Sequence, residues 1–245
     1  GWNVIEMAGE DAAQQTEKPV LIVTGLKQEA RIAAGPGLTV ICSSSNPIQL
    51  REMMMSFDPA SISGIVSFGV AGGLSPKLRS GDIVIASEIV AAKGRWVAAE
   101  GLSQALYGLP EGEHRIVRGV LVGVEEVVLG RKAKAALRSA TGADAVDMES
   151  HIAARYADQY GLPFAALRVI SDPAHRALPE IAAAALKANG DVDVWKVMRG
   201  IARRPSQIRA LVHSGRDFNR ALRGLRSYRS RLDGASSFRF VEAAE

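Results

Sequence analysis

Cysteine, aromatic side chains and long apolar runs are all scarce in this chain of 245 residues. The single cysteine, Cys42, excludes a disulfide framework and any zinc site built from several thiolates. The four histidines, His114, His151, His175 and His213, form no HxxxH-type pair, so no histidine-based metal centre is expected. No apolar run approaches the ~20 residues of a membrane-spanning helix. The opening GWNVIEMAGEDAAQQTEK is polar and lacks the apolar core of a signal peptide, so a cytoplasmic location is expected. What remains, 47% hydrophobic and 23% charged residues, is a composition that folds, and the length suffices for one large core.

The net charge of +4 is unevenly spread. Residues 196–245 hold 12 Lys and Arg against 4 Asp and Glu, whereas the first 195 hold 18 against 22. A basic carboxyl-terminal end suits an anionic partner, either nucleic acid or lipid head groups. With only 5% aromatic residues and no known nucleic-acid module, the tail lacks the stacking side chains of nucleic-acid binders, so none is expected as a partner.

Along the chain, apolar β-branched runs alternate with helical spacing. PVLIVTG, LTVICSSS, SGIVSFGVAGGL, VLVGV and FAALRVI read as strands, and GDIVIASEIVAA reads as a strand pair interrupted at Ser87–Glu88. Helices are predicted over 26–34, 47–57, 125–141, 148–160 and 181–202, and one long amphipathic helix over 205–232; residues 93–119 read as loop. The apolar stripe of the last helix runs through Ile208, Leu211, Val212, Gly215, Phe218, Leu222, Leu225 and Leu232. Such a stripe packs on its own domain or a partner, and a basic one also fits an anionic membrane. The alternation predicts an α/β fold: a three-layer α/β/α sandwich around a mixed sheet with a carboxyl-terminal amphipathic helical tail. The expected division is a polar extension over 1–18, a catalytic domain over 19–204, and a basic tail over 205–245 packed on that domain.

Ligands in open α/β sheets bind beyond the carboxyl ends of strands. Three such ends stand out: Thr24-Gly25, Gly69 to Gly73, and Ser171-Asp172. The glycine cluster permits close backbone approach but fits neither GxGxxG nor a P-loop. Asp172 follows a seven-residue, mostly apolar run and also suits a helix N-cap; Glu149, near a helix start, also suits the helix dipole.

Three separated motifs, GVAGGL…GDIV, VDMES and RVISDPA, resemble the purine nucleoside phosphorylase and methylthioadenosine/S-adenosylhomocysteine nucleosidase superfamily over roughly residues 19–190. SFGVAGGLSP, TGADAVDMESHIAA, DPAHRALPE and RRPSQIRALVHSGRDFNRALRGLR resemble most its hopanoid-associated nucleoside phosphorylase branch. The resemblance implies cleavage of the N-glycosidic bond of a 5′-modified adenosine, adenosylhopane, to adenine and phosphoribosylhopane. It implies inorganic phosphate as co-substrate, no cofactor, no metal, a homo-oligomer and possible peripheral contact with the inner membrane. The alternatives are a hydrolytic nucleosidase and a non-catalytic nucleoside- or anion-binding protein.

By the same resemblance, Asp172 is the general acid at N7 of the base, Glu149 accepts from the ribose hydroxyls, Met148 packs beneath the sugar, and Ser171 orients the acid. Val70, Ala71 and Gly72 line the base and ribose. Hydrolytic members carry a glutamate after the first strand. Gln28 falls at that position, with Glu29 one residue and so about 100° away on a helix, which favours phosphorolysis unless a one-residue bulge restores Glu29. Candidate phosphate ligands are Thr24, Gly25, Lys27, Arg31, Ser43 and Ser44, with Ser45 and Asn46 beside them. Where better-known phosphorylases place an Arg and a Ser around the glycine cluster, Ser67 and Val70 stand here. An apolar opening for a lipid tail is assigned to Met53, Met54 and Met55 with Trp96, Leu102, Leu106 and Tyr107; the methionines equally suit a core.

Overall fold

A computed structural model describes residues 18–108, 112–180 and 194–234. The predicted extension over 1–18 lies almost wholly outside the described residues, as do 181–193 of the predicted helix 181–202 and the end of the tail from 235. Eight strands form one mixed sheet: β1 (Val20–Thr24), β2 (Leu38–Cys42), β3 (Gly64–Gly73), β4 (Ile83–Ala91), β5 (Gly94–Val97), β6 (Ile116–Gly123), β7 (Ala145–Asp147) and β8 (Phe164–Asp172). The order is β2-β1-β3-β7-β6-β4-β5, and β8 pairs with both β3 and β4. The pairings β3–β8–β4–β6–β7–β3 therefore close into a ring, while β2, β1 and β5 extend outward from it. Strands β1, β2, β3 and β8 run parallel, whereas β7 runs antiparallel to β3 and β8 antiparallel to β4.

Seven helices are described: α1 (Lys27–Ala33), α2 (Pro47–Met55), α3 (Glu100–Tyr107), α4 (Arg131–Thr141), α5 (Ser150–Tyr160), α6 (Val194–Arg203) and α7 (Ile208–Gly234). The alternation of β1 side chains explains the layers, because successive residues of a strand face opposite sides. Leu21 and Val23 join Leu50 and Met54 of α2 and Ile152 and Tyr156 of α5 in one core; Val20 and Ile22 join Leu102 and Leu106 of α3 and Leu225 and Tyr228 of α7 in the other. The α/β/α sandwich around a mixed sheet is thus the observed architecture.

Several boundaries differ from the prediction. GDIVIASEIVAA is one strand, β4, whose register shifts between Ala86 and Glu88; a bulge absorbs the polar Ser87 that read as an interruption. The glycines of 93–119 hid β5 and α3: Gly94 sits at the turn between β4 and β5, and Gly101 of α3 has open space where a side chain would stand. The helix predicted over 125–141 begins only at Arg131, after Gly130. The short β7, directly before the helix predicted over 148–160, was not among the predicted strands. Pro205 splits the predicted helix 205–232 into a 3-10 turn, Pro205–Gln207, and α7.

α7 packs on the sheet along a stripe that coincides with the predicted one only at Leu222, Leu225 and Leu232. Ser214, Asp217, Ala221, Leu222, Leu225, Tyr228 and Leu232 are buried, whereas Ile208 and Val212 remain exposed. Tyr228 anchors it by donating its hydroxyl to the carbonyl of Leu106 on α3.

Candidate active site

The carboxyl ends of β1, β3 and β8 carry the site, with the segment after β7 folding back beside β3. The antiparallel pairing of Val146 with Gly72 sends Asp147, Met148 and Glu149 toward the middle of β3. There the Ser150 hydroxyl lies 2.9 Å from that of Ser67 and also donates to Asp147. Glu149 occupies the N-cap position of α5, where the helix dipole favours a carboxylate, but its side chain makes no capping hydrogen bond. Its carboxylate lies against Gly25 instead: a Cβ added there would stand 2.3 Å from Glu149 Oε1.

Gln28 is not the residue that β1 presents to this site. Glu29, at the third position of α1, turns its carboxylate back over the helix start. Oε1 accepts from the backbone N–H groups of Gly25 (2.9 Å) and Leu26 (2.8 Å), and Oε2 accepts from Val70 N–H (2.7 Å). Gly69, at φ +156°, makes room for it, since a Cβ would fall 2.2 Å from Oε2. No bulge is needed. The assumption that failed was that the helix phase seen from β1 decides which side chain faces the site. Gln28 instead lines a groove of 490 Å³ between α1 and α7 with Arg31, Ile32, Arg226, Arg229 and Ser230.

The centre of this cluster is Arg168 on β8, 1% exposed. Its guanidinium approaches Asp147 (3.0 Å) and Glu149 (3.3 Å) and donates to the Val70 carbonyl (3.1 Å) and the Ser67 hydroxyl (2.5 Å). The Nε contact with Asp147 is close without being an aligned hydrogen bond. Burial works against the charge of Arg168, but Asp147, Glu149 and Glu29 outweigh it and hold the guanidinium firmly protonated. Burial raises the Glu29 carboxyl, opposed by Arg168 and the three N–H donors. Burial likewise pushes Glu149 up to about 7, with Arg168 opposing and Asp147 and Glu29 adding to the rise.

Asp172 forms a second focus. No helix starts after it, only a turn closed by Arg176 N–H on the Pro173 carbonyl, so it is not an N-cap. Ser171 donates to its Oδ1 (2.8 Å), and Lys134 of α4 donates to Oδ2 (2.7 Å). Burial raises the Asp172 carboxyl while Lys134 and Ser171 oppose the rise. Gly72 faces Oδ2, where a Cβ would lie 3.2 Å away, whereas Ala71 and Val70 pack in opposite core layers and form no common wall with it. Met148, between Asp147 and Glu149 in sequence, is half-buried.

Of the predicted phosphate ligands, Thr24, Gly25, Ser43 and Ser44 lie together at the adjoining ends of β1 and β2, but their polar groups are largely engaged and Arg31 turns away. The Thr24 hydroxyl donates to the Ile41 carbonyl (2.8 Å), and Gly25 N–H is taken by Glu29. Arg31 faces the α1–α7 groove, and Asn46 caps α2 through Gln49 N–H (3.1 Å). Ser43 lies buried with its hydroxyl unpartnered among the described residues; Ser44 and Ser45 follow in left-handed conformation, with Ser45 N–H on the Gly25 carbonyl, and Lys27 is half-exposed. The lipid opening is not assembled. Met54 is core and Met53 and Trp96 pack on that same layer, but Leu102 and Leu106 of the Tyr107 helix belong to the opposite layer, and Met55 points to solvent.

Sequence reasoning passed over Arg168, Lys134 and Asp147. Arg168 did leave a signal, a lone charge in the apolar run Phe164–Ile170, which only a buried counter-charge can sustain. Lys134 left none among the other basic residues of α4.

Strand-end glycines, three buried carboxylates around an arginine, and a fourth carboxyl at the end of β8 make up the candidate site on an α/β/α frame. The chain belongs to the Phosphorylase superfamily, whose family model matches residues 16–198. Its fold is similar to that of 5′-methylthioadenosine/S-adenosylhomocysteine nucleosidase from Helicobacter pylori, at 17% identity and a TM-score of 0.63 over 90% of this chain and 98% of that one. It is similar to the futalosine hydrolase of Helicobacter pylori, at 16% identity and a TM-score of 0.64 over 89% and 98%. A nucleosidase from Neisseria meningitidis in complex with methylthio-immucillin-A has 15% identity and a TM-score of 0.65 over 88% and 98%.

Proposed function

We propose that this enzyme of the nucleoside phosphorylase and nucleosidase superfamily cleaves the N-glycosidic bond of a 5′-substituted adenosine, with water as the nucleophile. The observation that carries the choice of water is the seat of Glu29. The N–H groups of Gly25, Leu26 and Val70, which would cradle a phosphate, already hold a carboxylate. Glu29, Asp147 and Glu149 surround a single cation, Arg168, so an incoming phosphate meets net negative charge when all three are ionised. The same field stabilises the positive charge that develops on the ribose as the bond breaks. Glu29 takes the proton of the attacking water, Glu149 holds the ribose hydroxyls over Met148, and Asp172 protonates the purine at N7, with Ser171 orienting it. A carboxyl at Asp172 also accepts from an exocyclic amino group, which selects adenine over a 6-oxopurine.

The sequence resemblance alone supports adenosylhopane as the 5′-substituted substrate, and Gln28 no longer argues for phosphorolysis. Contact with anionic lipid is better assigned to α6 than to α7, because the lower half of α7 is buried on the sheet. Trp195 (72% exposed) and Met198 (55%) of α6 stand beside Lys196, Arg199 and Arg203. The deciding experiment measures adenine release from methylthioadenosine and adenosylhopane with and without phosphate. Water as nucleophile gives full release in phosphate-free buffer and a free reducing sugar; release that climbs with phosphate, with a sugar 1-phosphate as product, overturns it.

A further inference from the structure

We propose that Lys134 and Asp172 hold one proton between them and deliver it as a unit, with Lys134 a positioning residue that supplies, through Asp172, the proton taken up by the departing purine. This rests on the reading of Asp172 as the acid at N7.

Lys134 is 1% exposed, a rare state for lysine, which is buried almost only when paired. Its Nζ reaches Asp172 Oδ2 at 2.7 Å and the carbonyl oxygens of Asp172 (3.3 Å), Pro173 (3.1 Å) and Arg176 (2.9 Å). Four acceptors thus converge on three N–H bonds. Clamping the 172–176 turn needs only a neutral donor, so the contact with the carboxylate is what adds chemistry. The other charges nearby are directed elsewhere. The Arg176 guanidinium meets Asp217 of α7 at 2.6 Å, Arg138 of α4 meets Asp144 at 3.1 Å, and Arg168 faces Asp147 and Glu149. From β8, Ser171 supplies a hydroxyl to Oδ1, and β3 places the uncharged Gly72 beside Oδ2. Among the described residues, Lys134 is therefore the cation that faces Asp172.

In so dry a site, an ammonium–carboxylate pair and an amine–carboxyl pair carry the same proton, and loss of hydration narrows the gap between them. A lone buried carboxyl must draw its proton from solvent and stops acting as an acid once the pH passes its own pKa. A pair that shares a proton keeps it to higher pH. As the C1′–N9 bond breaks, its electrons pass into the purine, and the shared proton, passed from Lys134 to Asp172, moves on to N7 and leaves the pair as amine and carboxylate. Water adds its hydroxyl to C1′ and gives its proton to Glu29. Release of that proton to solvent and uptake of one by the Lys134–Asp172 pair restore the enzyme with no net change.

The test compares pH profiles of kcat/KM for wild type, Lys134→Met, Lys134→Gln and Asp172→Asn, using methylthioadenosine as substrate, with circular dichroism to verify folding. Lys134→Gln keeps donors for the turn carbonyls where Lys134→Met does not fold. Sharing of the proton moves the alkaline limb of either Lys134 variant down by about one pH unit or more, lowers kcat about tenfold or more and leaves KM nearly unchanged. An unmoved limb in a folded Lys134 variant overturns the inference. Full activity of Asp172→Asn overturns the acid assignment beneath it, so the two failures are distinguishable.

Discussion

Replacing Glu29 by Gln tests the nucleophile most directly, because the substitution changes the chemistry of one atom within a fixed set of hydrogen bonds. The Gln side chain can still accept from Gly25 and Leu26 N–H through its carbonyl oxygen, which Glu29 does at 2.9 and 2.8 Å. Its NH₂ then faces Val70 N–H, donor against donor, at the position where Glu29 accepts at 2.7 Å. That lost bond costs about 1–3 kcal/mol. Burial already disfavours the ionised Glu29, so removing the charge offsets part of the cost. The net change in stability is about 2 kcal/mol or less, small beside the ~5–15 kcal/mol that holds a domain folded. The effect on catalysis is larger: a general base contributes about 10²–10⁴-fold, roughly 3–5 kcal/mol of barrier. The assay is adenine release in phosphate-free buffer, with a denaturant melt of the same sample. A folded Glu29→Gln enzyme that releases adenine at the wild-type rate refutes the base assignment, and one restored to full rate by phosphate would show that phosphate is the nucleophile.

Glu149 makes stability pH-dependent in an unusual direction. Its carboxyl stands at about 7 in the folded protein against an ordinary 4.5, so between those values the folded state holds a proton the unfolded chain has lost. The stability from this group is fully present below pH 4.5 and falls away as pH rises through 7, by on the order of 3 kcal/mol. Thermal melts from pH 5 to 8 show a steeper decline for wild type than for Glu149→Gln; parallel curves contradict the raised value. Arg168→Met leaves Asp147, Glu149 and Glu29 without their shared cation, and urea denaturation registers a loss of about 3–5 kcal/mol. Gly25→Ala and Gly69→Ala place a methyl group 2.3 Å from Glu149 Oε1 and 2.2 Å from Glu29 Oε2. Both abolish most adenine release, whereas Gly101→Ala, where a side chain meets open space, leaves it intact.

Much of the frame was legible because strand and helix patterning is local. The apolar runs of β1, β3 and β8 needed no tertiary information, nor did the Gly161 stop of α5, which adopts φ +65°. The bulge in β4 and the short β7 were not legible, since each exists only through its pairing with another strand. The same division runs through the site. Asp172 and Glu149 stood out because motifs announce them, whereas Arg168 was passed over although a charge in an apolar strand demands a partner.

Sequence alone determined the α/β/α class, the strand ends that carry the site and the two motif carboxylates. Only the tertiary structure decided that Glu29, not Gln28, caps the N–H groups of Gly25, Leu26 and Val70, that Lys134 faces Asp172, and that Arg31 turns away from the strand ends. Val70 lies 41 residues from Glu29, and Asp172 lies 38 from Lys134. Hydrogen bonds and charges act over a few ångströms, and folding alone brings such residues within that range.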